Sequence, residues 1–585
     1  MQSHFRTSAP PKTPRPNDPP ATARTLPRIV IRSLLNPRPP LPERPADLPS
    51  RAWFGVLLAV FTVVWLATLA GRSLISADEG RYATISLGML QSGDWITPRL
   101  NGLLYFEKPA LQYWGGAASL WLFGINEFAA RLWSGLAGLA TVFLVGHTAA
   151  RLWGPRAGLH ALLIAGATTW IVVNSHFLSL DAGLTATLTL VLCAVLLAER
   201  PGAGEPEQRR WRVAAWVGMG LAVLSKGLVG ILIPGAVLVL HSLWRLDFSL
   251  WRRLRWWPGL ALMLLVTVPW FALVSARNPD FAWFFFIHEH FQRYLTNAHH
   301  REGAWWYFVP YLLLGLLPWT SALPWLLRPR RADFAAGLLL VWTVFIFVFF
   351  SDSDSKLPSY ILPVFPALAL LLAREIDRAS VRTLRLHLLV PALLWAAALL
   401  ALTQTDRFVG PGVPQPAVEA LARGIGSGAV AFLAGAALAW HLLGRQRRTT
   451  ALAVVAAAHL GATLIALESH DTYGQLKSGD AIARVLAKRI DATTPVYSVR
   501  SYEQTLPFYL GRPIILVDYR DEFAFGEQHE PGRWIPTLDT FIARWQSEPH
   551  AAAYMTQPTF DELRRRGLPM QVVYQDPRRL VVVKP

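Results

Sequence analysis

Apolar runs of close to twenty residues recur along most of this 585-residue chain, and about 20 residues is the helix length that crosses a hydrocarbon core about 30 Å thick. They fall near residues 52–71, 127–149, 156–174, 181–198, 211–225, 229–244, 257–275, 304–327, 335–350, 360–374, 385–402, 427–444 and 450–467. This spacing predicts a polytopic α-helical membrane protein with about 13 transmembrane helices. With 53% hydrophobic and 16% charged residues, the chain carries more apolar surface than a soluble globular protein can bury. The net charge of +18 sits in short Arg groups between the apolar runs, a pattern that sets membrane topology and gives no reason to expect nucleic acid as a partner.

Those Arg groups fix an orientation. Alternate connections, among them "ARLWGPRAG", "ERPGAGEPEQRRWR", "WRLDFSLWRRLRWW", "RPRRAD", "AREIDRASVRTLR" and "GRQRRTT", are rich in Arg and are expected in the cytoplasm. The other set is expected outside: Ser76–Asn126, Asn174–Asp181, the junction at Lys226, Ala276–Gly303, Ser351–Tyr360, Thr403–Gly426 and everything after residue 468. Residues 1–50, Pro- and Arg-rich, read as a disordered basic cytoplasmic tail, and 51–468 as the membrane domain, with juxtamembrane helices in 72–126. Residues 469–585 have soluble composition and alternate strand and helix signals, which predicts a small external α/β domain, with no chemistry assigned to it. The single Cys193, inside an apolar run, excludes an internal disulfide and a cysteine-built metal site.

With that orientation, the unusual polar residues gather on the outer side: Asp78, Glu79, Arg81, Tyr82, Tyr105, Glu107, Lys108, His176, Asp181, Lys226, His288, His290, Arg293, Lys356 and Tyr360. Ionisable groups near span ends are functional candidates, although interfacial Lys and Arg also snorkel. Lys108, Lys226, Arg293 and Lys356 on one face suit a phosphate or diphosphate head group. Asp78 and Glu79 are adjacent and so point apart on a helix; one is expected to face a cavity while the other pairs with an Arg such as Arg81. Asp181 reads equally as a site carboxylate or as a helix N-cap. His288 and His290 flank Glu289, and with Glu107 they raise the alternatives of a structural zinc, on Glu107 and His288, or of plain interfacial hydrogen bonding.

Three stretches, "SADEGRYATISLGMLQSGDWITPRLNGLLYFEKPALQYW", "RLWSGLAG" and "DSKLPSYILPVFPALALLLA", resemble the GT-C lipid-linked glycosyltransferases of the dolichyl-phosphate-mannose protein mannosyltransferase superfamily. Within it, "YFEKP" is most similar to the ArnT family, the 4-amino-4-deoxy-L-arabinose transferases that modify lipid A. The resemblance implies a GT-C fold in a bacterial inner membrane, with the N-terminus cytoplasmic and the C-terminal domain periplasmic. It implies inverting transfer of the sugar from undecaprenyl phosphate to a lipid A phosphate, by a monomer among membrane lipids, with no required cofactor. Asp78 takes the place of the family's motif aspartate, and Asp181 is the second catalytic candidate. Arg81, Tyr82, Tyr105, Lys108, Lys226, Arg293, Lys356 and Tyr360 are the candidates for substrate binding. Three roles stay open for Asp78: positioning the acceptor, taking a residual proton, or binding the sugar's amino group. Two other readings stand beside this one, a protein O-mannosyltransferase or other polyprenyl-phosphate-sugar transferase, and a flippase for polyprenyl-linked sugars. The flippase predicts inverted repeats and midplane charges, and the sequence shows neither.

Overall fold

The first apolar run folds as helix α1 (Arg51–Ala67), opened by Ser50, whose hydroxyl accepts from the Trp53 amide at 3.2 Å. It begins the membrane domain of the computed structural model, which describes residues 48–292, 303–327, 333–410 and 412–585. The basic tail expected over 1–50 lies almost wholly outside the described residues, as does Arg293.

Every expected span has a helical counterpart. Among the described residues, eight helices are long and apolar enough to cross a bilayer, or ten if each of two bent pairs is one span. The straight spans expected over 156–174 and 304–327 are these bent pairs, Pro155–Ala167 with Thr169–Ser175 at 59° and Phe308–Gly315 with Thr320–Leu326 at 107°. In the second pair, Pro318 has no N–H to continue the helix. In the first, the Thr169 amide leaves the helical ladder and donates to the Leu317 carbonyl at 3.1 Å, so the two breaks meet. The other three expected spans are α1, a second 17-residue helix, Val229–Arg245, and one helix whose first half is charged, Glu205–Lys226. The count of 13 therefore exceeds what length and apolarity alone support.

Burial separates inner from outer helices. Leu180–Ala198 and Pro358–Ile376 are enclosed on almost every side, whereas Val381–Phe408 and Trp256–Arg277 leave most of their apolar residues facing outward, as a lipid-facing layer would.

Between α1 and the next long helix the chain builds a platform at one end of the membrane helices. Helix α2 (Asp78–Ser92) stops at Gly93, in the left-handed region at φ 69°. A two-stranded hairpin follows, β1 (Arg99–Leu100) paired with β2 (Leu103–Leu104). Its turn is Asn101-Gly102, both at positive φ, as this tight hairpin requires. Helix α3 (Leu111–Phe123) then leads into α4 (Glu127–Trp153), which is capped by Asn126.

The C-terminal residues form a five-stranded mixed sheet in the order β4-β3-β5-β7-β6. Strand β3 (Val496–Val499) runs parallel to β4 (Ile515–Val517) and to β5 (Ala552–Met555); β7 (Leu580–Val583) is antiparallel to β5 and to β6 (Gln571–Gln575). This unit is pinned to the platform. The Asn101 side chain closes both backbone groups of Ile514, at 2.7 and 2.8 Å, and Glu530 accepts from Arg99 at 2.7 Å and from the Leu104 amide at 3.0 Å.

Candidate active site

At the start of α2 the adjacent acids part, because neighbours on a helix sit about 100° apart while residues three apart share a face. Asp78 faces outward and accepts from Arg81 at 2.9 Å. Glu79 turns inward to Arg131, which approaches its two oxygens at 2.6 and 2.8 Å. The pairing expected between Arg81 and whichever acid leaves the cavity is thus corrected: Arg81 holds the cavity acid, and the inward acid has its own arginine. Burial alone would raise the Glu79 carboxyl, but the Arg131 guanidinium overrides this and holds it below the usual carboxylate range. The same carboxylate accepts from the amides of Ile75 (3.1 Å) and Leu178 (2.9 Å). Leu178 lies three residues before Asp181, so this buried cluster ties together the two elements that carry the candidate acids.

Asp181 stands in the first turn of α5 (Leu180–Ala198), whose cap position is Ser179. The N-cap alternative falls, because the Asp181 carboxylate is turned to Lys226, with which it forms an ion pair, and to the Ser359 hydroxyl at 2.6 Å. Lys226 ends helix α6 (Glu205–Lys226), where Gly227 takes positive φ, and its ammonium sits 4.3 Å from the centre of the Tyr360 ring.

These groups surround a cavity of about 120 Å³ lined by Asp78, Arg81, Tyr82, Glu107, Lys108, Leu180, Asp181, Lys226, Leu357, Tyr360, Asp521 and Glu522. Eight of them were expected from the sequence. Lys108 donates to the Glu107 carbonyl at 2.8 Å and lies 3.5 Å from the Glu289 carboxylate. Burial raises the phenols of Tyr82 and Tyr105, which keeps both as neutral hydroxyls at physiological pH.

Three expectations fall differently. Tyr105 is buried and is not among the residues that line the cavity. Lys356 is buried too, and its ammonium donates to the Ser353 carbonyl at 2.6 Å, closing its own loop. His288 stacks on Phe284 at 4.9 Å and stands 3.5 Å from Glu289, away from the cavity lining. Among the described residues no group of three His, Cys, Asp or Glu side chains is arranged to hold a metal.

Two lining acids come from the domain to which the sequence reading assigned no chemistry. Glu522 meets Arg81 at 2.5 Å and accepts from Gln504, and its neighbour Asp521 lines the same cavity. Burial raises the Glu522 carboxyl, with Arg81 only partly opposing it. Their one signal was an adjacent acidic pair, in "YRDEFAF", one of two such pairs in the C-terminal domain. Arg131 was also missed; its signal was an arginine just inside a span, at the end that the Arg-rich connections leave to the opposite side.

Residues 53–286 match the family described as dolichyl-phosphate-mannose-protein mannosyltransferase, and 482–584 the aminoarabinose transferase C-terminal domain. Among curated proteins, the chain is 35% identical over 339 residues to an undecaprenyl phosphate-alpha-4-amino-4-deoxy-L-arabinose arabinosyl transferase of Edwardsiella ictaluri, covering 56% of this chain and 60% of that one. It is 37% identical over 341 residues to the protein of the same name from Pseudomonas aeruginosa PAO1, covering 57% and 60%. The match thus spans about three fifths of the length of these curated relatives. Among solved structures, ArnT from Cupriavidus metallidurans bound to undecaprenyl phosphate superposes with a TM-score of 0.88 at 40% identity, covering 92% of this chain and 98% of that one. The apo form of the same protein gives 0.86, covering 91% and 98%. With that likeness running through both the membrane helices and the C-terminal α/β domain, the chain belongs to the ArnT family of aminoarabinose transferases, integral membrane proteins of the GT-C fold.

Proposed function

We propose that the chain is an inverting glycosyltransferase that moves 4-amino-4-deoxy-L-arabinose from undecaprenyl phosphate to a phosphate of lipid A, on the periplasmic face of a bacterial inner membrane. The observation that carries this reading is the mixed-charge cavity where α2, α5, α6 and the outer domain meet. It occurs in a chain 40% identical to an ArnT that binds undecaprenyl phosphate. In the reaction, an acceptor phosphate oxygen forms a bond to the sugar's anomeric carbon as the bond from that carbon to the donor phosphate breaks. The electron pair leaves on undecaprenyl phosphate. Charge grows on that departing oxygen, and preorganised cations stabilise it. Lys108 is assigned this role, together with Arg293, which lies outside the described residues.

Lys226 is assigned to the same anionic group, with Asp181 and Ser359 fixing its direction and Tyr360 its height. The acceptor phosphate is already anionic near neutral pH, so Asp78 serves to position it or to take a residual proton and need not act as a strong base. The Asp78 side chain is 53% exposed and stands at the cavity mouth, where an acceptor enters. The reaction needs no cofactor, and metal content measured on the purified protein tests the separate expectation of a structural zinc on Glu107 and His288.

The test reconstitutes the protein in liposomes with undecaprenyl-phosphate aminoarabinose and either lipid A or an acceptor peptide, and weighs the products. Aminoarabinosylated lipid A is expected. A glycosylated peptide would favour the protein O-mannosyltransferase reading, and donor translocation without product the flippase.

A further inference from the structure

Among the described residues, which leave out Arg293, five carboxylates, Asp78, Glu107, Asp181, Asp521 and Glu522, line the cavity against three cations, Arg81, Lys108 and Lys226. A site that held nothing but phosphates would gain from the reverse balance. The surplus has a definite origin. Asp181 is paired with Lys226, and Lys108 lies beside Glu107 and Glu289, while Arg81 is shared between Asp78 and Glu522. Asp521 has the Tyr519 hydroxyl as a partner, at 3.3 Å, and no cation within ion-pair distance among the described residues. Among the described lining carboxylates, Asp521 is therefore the one without a cation partner, and beside it Glu522 shares its arginine with Asp78.

We propose that Asp521 and Glu522 form the specificity element of this site, binding the protonated amino group of the donor sugar. The inference rests on the aminoarabinosyl-transfer reading above and adds the residues that would make it selective. The two matched stretches contribute different charged residues to the cavity, which Leu357 and Tyr360 complete from outside both. Residues 53–286, which match the mannosyltransferase family, contribute Asp78, Arg81, Tyr82, Glu107, Lys108, Asp181 and Lys226. Residues 482–584, which match the aminoarabinose transferase domain, contribute Asp521 and Glu522. Mannose is neutral, whereas a 4-amino sugar carries an ammonium group near neutral pH. The extra carboxylates thus come from the part of the chain that is matched by its likeness to aminoarabinose transferases.

The short 3-10 turn Asp521–Phe523 that carries them is held by aromatic packing. Phe525 packs on Phe106 at 5.3 Å and on Phe284 at 4.5 Å between ring centres, and Phe523 packs on Tyr502 at 4.8 Å. Gln504 donates to Glu522 from within the same domain. Asp521 adopts φ 38°, in the left-handed region. Asp and Asn tolerate that region better than other side chains, so Asp521→Asn keeps the backbone while removing the charge.

The test compares two donors in proteoliposomes with lipid A as acceptor: undecaprenyl-phosphate 4-amino-4-deoxy-L-arabinose, and undecaprenyl-phosphate L-arabinose, which has a hydroxyl in place of the amine. The readout is the ratio of kcat/KM between them. The wild type is expected to prefer the amino donor, and the preference is expected to fall at least tenfold in Asp521→Asn combined with Glu522→Gln. Asp521→Asn alone, at an exposed position, should lower the ratio without altering thermal unfolding. An unchanged ratio in the double variant, or an equal fall with both donors, overturns the assignment while leaving glycosyl transfer intact. A wild type that transfers neither sugar refutes the transfer reading itself, and this inference with it.

Discussion

Neutralising Glu79 separates the two acids at the start of α2 more sharply than any other change. Arg131 is wholly buried and Glu79 is 3% exposed, and the pair is closed by two short hydrogen bonds. The guanidinium also donates to the carbonyls of Leu69, Arg72 and Ser73. Glu79→Gln leaves that guanidinium buried without its counter-charge, a change that costs about 3–5 kcal/mol. Asp78→Asn, by contrast, weakens a half-exposed pair with Arg81 that contributes on the order of 1 kcal/mol or less. Thermal unfolding of the purified variants in detergent measures both. Glu79→Gln should lower the midpoint by several degrees, and a double change, Glu79→Gln with Arg131→Gln, should recover part of the loss because it removes the uncompensated Arg131 guanidinium. Since the Glu79 carboxylate also holds the Leu178 amide, transfer activity should fall along with stability. A midpoint for Glu79→Gln within error of wild type, or a double change no better than the single one, would refute the reasoning.

Lys226→Gln and Asp181→Asn should lower transfer by similar amounts, and the double variant by little more than either alone; additive losses in a kinetic double-mutant cycle would show that the pair does not work as a unit. Glu527 is buried with neither carboxylate oxygen hydrogen-bonded, and burial lifts its carboxyl to about 7 against weak opposition from Arg520. Its folded form holds the proton more tightly than the unfolded one, so its stabilising contribution is complete below the ordinary carboxylate range and is lost as pH rises through about 7. Glu527→Gln should therefore flatten the pH dependence of unfolding and stabilise the protein at about pH 8 by up to ~3 kcal/mol; a parallel pH dependence in variant and wild type would contradict this. A reporter fused after Pro585 should be periplasmic and one inserted in "RPGAGEPEQRR" cytoplasmic; the opposite labelling at either place would move the cavity to the other side of the membrane.

Much of this was legible because membrane insertion imposes a coarse code. Apolar runs locate helices, and Asp78, Arg81, Lys108, Asp181, Lys226 and Tyr360 could be drawn together before any contact was known. Breaks inside apolar runs were not legible, since the bend between Gly315 and Thr320 arises from Pro318 within an otherwise unbroken hydrophobic stretch. Nor did the sequence tell Lys356, whose ammonium is consumed by its own loop, from Lys226, which reaches the cavity. The contribution of Asp521 and Glu522 depends on how the α/β domain docks. That docking rests on scattered pairs such as Asn101 with Ile514 and Arg99 with Glu530, separated by more than four hundred residues, which no local pattern announces.

The central claim is that sugar transfer takes place in the cavity that Asp78 borders, and transfer by Asp78→Asn in proteoliposomes tests it most directly. Aminoarabinosylated lipid A is expected from the wild type, and from Asp78→Asn a rate lower by on the order of 10²-fold at an unchanged unfolding midpoint. Wild-type turnover by a fully folded Asp78→Asn would contradict it.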